Sequence, residues 1–148
     1  MRDTVGHSEL AAFAGAASSC AFSMMENAAY IEGELPNVKV SEALRAEVLE
    51  VCSRLIGTKH DVQSEIGELL DLTESPDSAV VQVRVARIER RLADDLPTLN
   101  GVVQSLERAA ATDGGSAYIL VAESAVNILD SCTETTAAAD RYRDVVRR

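Results

Sequence analysis

SEALRAEVLEVCSRLIGTKHDVQSEIGELLDLTESPD, residues 41–77, decides the fold of this chain. Leu44, Val48, Val51, Leu55, Val62, Ile66 and Leu69 recur at helical steps and line one face. Ser41 stands where an N-cap belongs. Glu42 and Glu47 follow in the early turns, where the helix dipole favours acids. Gly57 and Thr58 weaken the middle of the stretch. Glu74-Ser75-Pro76-Asp77 then breaks it, and Ser75 before Pro76 reads as the cap and first position of the next helix.

The same pattern extends in both directions. Upstream, a helix is expected from about Ser8, as N-cap, to Gly33, with Leu10, Phe13, Ala17, Cys20, Met24, Ala28, Ile31 and Leu35 on its seam. Leu35-Pro36-Asn37 breaks it. Downstream, a third helix runs from about Pro76 to Thr112 through Val81, Val85, Ile88, Leu92, Leu99, Val103 and Leu106. Val81, Val83 and Val85 alternate as a strand would, but the longer period and the Ser-Pro start favour a helix. Pro97 lacks an N–H and predicts a kink within it, because the seam stays in phase from Leu92 to Leu99. Asp113-Gly114-Gly115 is the last break. Ser116 is the expected cap of a fourth helix through Val121, Ala125, Ile128, Cys132, Ala139, Tyr142 and Val146.

Short connections make neighbouring helices antiparallel. The expectation is an all-α, up-down-up-down four-helix bundle with coiled-coil-like heptad seams, forming one domain over residues 1–148. Its helices should be about 45 Å long at 1.5 Å per residue. The alternative is a pair of helical hairpins that complete their core in a dimer. Val80, Val102, Ile119 and Leu120 lie outside the seams and widen the apolar stripe. That width, and the charge-free run from Leu10 to Met25, point to a homodimer.

Composition narrows the function classes. Apolar residues make up 47% of the chain but aromatics only 3%, so a large aromatic-lined pocket is disfavoured. A net charge of −10 argues against generic nucleic-acid binding, which needs a basic footprint. Leu10–Met25 is Ala/Ser-rich and too short to span a bilayer, and Asp3 and Glu9 precede or flank it. It reads as a buried helix face, not as a signal peptide or membrane span. Cys20, Cys52 and Cys132 fall in apolar stretches and read as reduced, buried thiols of a cytoplasmic protein. No CxxC spacing and no Glu-x-x-His of di-iron bundles is present, so neither metal nor cofactor is expected.

His60 is the main chemical candidate. It lies about 140° from Leu55 and about 160° from Val62 around a helix, so it points away from the seam. Asp61 follows it directly, and Ser64 lies one turn on. This stretch resembles the H-box of two-component histidine kinases, in which a solvent-facing His on a helical hairpin accepts phosphate. The resemblance implies His60 as phosphoacceptor, with Asp61 orienting the ring and Ser64 on the same face. The Pro found after the kinase His is Glu65 here, and there is no Gly-rich nucleotide loop. Against stand-alone phosphotransfer domains, Gln63 and Ser64 replace the usual Lys and Gly. Arg54 and His60 also form an R-x5-H spacing that resembles the motif of HEPN ribonucleases, although about 120° separates them around the helix. Cys20, His60 and Cys132 should share a height in the bundle, but an outward His and inward thiols make no metal site.

A second candidate is a basic end. Arg84, Arg87, Arg90 and Arg91 lie early on the third helix, and Arg141, Arg143, Arg147 and Arg148 late on the fourth. Antiparallel packing gathers them at one end, as a docking patch for an acidic partner. They are also positioned for surface pairs with Glu65, Glu68, Asp71 and Glu74 at the end of the second helix. The sequence thus favours a non-enzymatic protein–protein interaction module: an adaptor, assembly subunit or chaperone-like accessory. The alternatives are a His60 phosphotransfer module and, more distantly, a helical ribonuclease.

Overall fold

The computed structural model describes residues 6–113 and 116–148. Four long helices carry almost all of them: α1 (His7–Glu34), α2 (Glu42–Asp71), α3 (Ala79–Asp113) and α4 (Ser116–Val146). A 3-10 turn at Leu35–Asn37 follows α1, and no strand occurs among the described residues, Ala79–Val85 included. Each helix packs on two neighbours. α1 lies between α2 and α4, and α3 between α2 and α4, while the diagonal pairs barely meet. This is the expected four-helix bundle. Its seams are buried as read: Phe13, Met24, Leu55, Val62, Ile88, Leu92, Leu99, Leu106, Ile128 and Tyr142 are almost wholly inaccessible.

The α1–α4 interface is the most extensive. Ala14, Ala17 and Ala21 are buried on α1, and Ala125, Ala138 and Ala139 on α4. Small side chains let two backbones approach closely, which is why the charge-free face of α1 seats here. Thr135 of α4 donates to the Ala16 carbonyl across this seam at 3.2 Å. At the α1–α2 connection Val38 plugs the core. The Arg45 guanidinium donates to the carbonyls of Leu35 and Val38, both at 3.4 Å.

Helix starts differ from expectation in two places. Ser41 caps α2 as read, accepting from the Leu44 N–H at 3.1 Å. α1, however, is entered through Gly6 at φ +80°, and Ser8 lies inside the helix. A Cβ at Gly6 would sit 2.8 Å from Val146 Cγ1, so glycine is required there both by conformation and by space. α3 begins at Ala79, capped by Ser78, whose hydroxyl accepts from the Val81 N–H at 3.2 Å. Ser75 and Pro76 instead form the preceding turn, closed by the Ser78 N–H on the Ser75 carbonyl at 3.0 Å. The buried Tyr142 hydroxyl takes the Pro76 carbonyl, so that carbonyl is not used for a first helical turn. The Gly114-Gly115 break lies outside the described residues, and α4 starts at Ser116.

Pro97 lies inside α3, which continues past it to Asp113 and is not split. Pro97 and Ala93, whose carbonyl loses its partner, are both exposed, so that carbonyl is on the solvent side. Of the residues expected to widen the buried stripe, only Val102 is covered. Val80, Ile119 and Leu120 remain about half exposed on the outer surface. They lie too far around their helices to reach the core.

Candidate functional site

His60 sits on the exposed face of α2, two residues from buried Thr58 and Val62 on either side. Ser64 is exposed as well. Asp61 does not serve His60. Its carboxylate accepts from Arg91 Nε of α3 at 2.9 Å. Arg54 also points elsewhere, with its Nε 3.8 Å from Asp95 Oδ1. The structure therefore does not bring Arg54 and His60 to one face, and it engages Asp61 in an interhelical pair. His60, exposed on the surface, stands well apart from Cys20 and Cys132, which are buried.

The eight arginines divide into two groups. Arg84 reaches Glu65 at 3.0 Å and Glu68 at 2.5 Å, across the α2–α3 seam as expected. Arg91 bridges Asp61 and, at 3.6 Å, Asp95. Arg143 grips Glu89 of α3 with both nitrogens, one at 2.9 Å, and Asp140 of its own helix at 2.6 Å. This fork holds the Arg143 guanidinium charged even more firmly than usual. Arg87, Arg90, Arg141, Arg147 and Arg148 are exposed and enter no ion pair among the described residues. Val80, Val83, Arg87 and Arg90 follow at three- and four-residue steps and so form one outward stripe of α3. Val80 and Val83 are 46% and 53% exposed and line a shallow groove with Ala79, Arg84 and Arg87.

The least expected feature is a polar layer at mid-height. Asp95 of α3 is 5% exposed yet occupies a seam position. The buried Thr58 hydroxyl of α2 donates to its Oδ2, while Oδ1 has no hydrogen-bond donor and faces Arg54 at 3.8 Å. Thr135 and Cys132 of α4 and Cys20 of α1 complete the layer, all nearly inaccessible. Cys20 Sγ and Cys132 Sγ are 3.6 Å apart. A hydrogen bond from the Cys132 thiol lowers the pKa of Cys20; burial opposes this and Thr135 adds to it. The same bond raises that of Cys132, with burial and the charges of Cys20 and Asp95 acting in the same direction. Cys52 lies apart and is pushed up to about 12 by burial, with Glu32 adding to it.

Reading the sequence for apolar periodicity passed over this layer. The apolar seams step by seven residues from Leu55 to Val62, Leu92 to Leu99 and Cys132 to Ala139. In each gap the missing inward position is polar: Thr58, Asp95 and Thr135. Three such gaps, meeting at one height under antiparallel packing, were the available signal.

No protein-family model matches this chain, and no curated protein or solved structure is significantly similar to it. No helix among the described residues is long and apolar enough to cross a membrane.

Proposed function

We propose that this chain is a non-enzymatic helical interaction module that docks an acidic protein partner through the α3–α4 basic end. One observation carries the reading. Among the described residues, Arg87, Arg90, Arg141, Arg147 and Arg148 enter no ion pair on a protein of net charge −10, while their neighbours Arg84, Arg91 and Arg143 are neutralised internally. Exposed Val80 and Val83 beside them supply apolar contact, and interfaces combine an apolar centre with a charged rim. Arginine is the residue suited to forked recognition of carboxylates. The three unpaired thiols support a reducing, cytoplasmic setting. Exposed Phe22 and Met25 on α1 support a second copy covering that face, as a homodimer.

The test is quantitative co-purification from the native cell with wild type and Arg87→Glu/Arg90→Glu/Arg141→Glu. The reading expects a partner with an acidic segment that wild type retains in low salt, loses in high salt, and the variant never holds. Identical partner sets for the two proteins would overturn it. Phosphotransfer keeps one support, the exposure of His60. It requires an acid-labile phosphate taken up from phosphoramidate by wild type and absent in His60→Gln. The pairing of Asp61 with Arg91 weighs against it.

A further inference from the structure

We propose that Cys20 and Cys132 form a reversible intramolecular disulfide on exposure to peroxide, locking the first helix to the last. The two sulfurs already touch, 3.6 Å apart, on facing helices of the tightest seam in the bundle. Side-chain rotation and a small backbone adjustment close the remaining distance to a bond of about 2.05 Å. The third cysteine, Cys52, is buried on α2 and has no sulfur partner.

The surroundings assign different roles to the two sulfurs. Either thiol can donate across the contact; Cys20 is the better thiolate, because a hydrogen bond from Cys132, and then one from Thr135, favours its charged form. Cys132 holds its proton, because its hydrogen bond to Cys20 uses that proton, and burial and the charges of Cys20 and Asp95 disfavour a thiolate there. With hydrogen peroxide as oxidant, the Cys20 thiolate attacks one oxygen. An S–O bond forms, the O–O bond breaks, and hydroxide leaves and is protonated to water. The Cys132 sulfur then attacks the Cys20 sulfenic acid. The S–S bond forms, the S–O bond breaks, and the departing hydroxide takes the Cys132 proton as water. Two thiols lose two electrons and one peroxide becomes two waters. Both thiols are almost wholly buried, so the rate is set by opening of the α1–α4 seam, and only a small oxidant enters.

The bond spans 112 positions of sequence and closes nearly the whole bundle into a loop. Such a cross-link restricts the unfolded chain strongly and should raise the thermal midpoint by roughly 10 °C. The experiment treats fully reduced, full-length protein with equimolar hydrogen peroxide. Free thiols are then blocked with N-ethylmaleimide under denaturing conditions. The expected result is a monomer with one maleimide, on Cys52, and a reducible Cys20–Cys132 linked peptide. The midpoint rise should reverse with dithiothreitol and persist in Cys52→Ala. Three maleimides after treatment, oxygen adducts without a cross-link, or a disulfide to Cys52 would each overturn the proposal. Because wild type alone gives the decisive readout, misfolding of a cysteine variant cannot obscure it.

Discussion

The α2–α3 seam and the α1–α4 seam are held by opposite chemistry. Between α2 and α3 run Arg84 to Glu65 and Glu68, Arg91 to Asp61, and the Thr58–Asp95 bond with Arg54 and Arg91 beside it. Between α1 and α4, among the described residues, there is no ion pair. Alanines, the two thiols and the Thr135 hydroxyl do the joining. The first seam is specified by charge: a slip of one turn would separate several pairs and leave Asp95 buried without a partner. The second carries no such charge, and the alanines buried on both helices point to specification by size. A bundle that closes its chain ends by close packing can afford a charged register mark on the other side.

The largest effect should come from stripping the charge mark of its counter-ions. Arg54→Ala/Arg91→Ala leaves the Asp95 carboxylate buried with only Thr58, and should cost about 3–5 kcal/mol in urea unfolding. A loss below about 1 kcal/mol would show that Asp95 is hydrated and that the two seams do not differ as argued. Next, Ala17→Leu places a large side chain in the α1–α4 contact, where Ala17 is fully buried. Overpacking there should cost about 2–3 kcal/mol. If instead the variant melts like wild type, the seam is not set by size.

A smaller effect is expected where α4 reaches across to the turn between α2 and α3. Tyr142→Phe removes the bond to the Pro76 carbonyl and should cost about 1–2 kcal/mol at neutral pH. Burial, with Asp77 adding, pushes the Tyr142 phenol up to about 12 from its ordinary value of 10. A raised folded pKa stabilises the native state fully below the unfolded value and loses that contribution as pH climbs through the folded one. The penalty of Tyr142→Phe should therefore shrink between about pH 10 and pH 12. A constant penalty across that window would mean the phenol is not buried as described.

Periodicity exposed the four helices because apolar residues at helical steps have one efficient burial. Phe13, Leu55, Ile88 and Ile128 fell inside as read. Cap positions were less legible, because Ser8, Ser75 and Ser78 carry the same local signal. Tertiary contacts decided among them, through Gly6 against Val146 and Tyr142 against Pro76. The surface stripe Val80–Arg90 was half visible: the arginines stood out, but Val80 was expected inside and is not. Asp95 was hidden for a different reason. A charged residue on a helix defaults to solvent, and the opposing Thr58 and Arg54, with Arg91 one turn earlier on α3, make its burial tolerable.

The central claim is that the polar layer marks register and adds little net stability. Thr58→Val/Asp95→Leu turns both α2 and α3 into unbroken apolar seams and leaves Arg54 and Arg91 free to reach water. Replacing a buried charge and its donor together removes the desolvation penalty along with the bonds. The unfolding free energy of this double variant in urea is the direct measurement. The account predicts a value within about 1 kcal/mol of wild type, or above it. A loss of more than about 3 kcal/mol, with the helix content of the variant intact, would contradict it and make the layer a net source of stability.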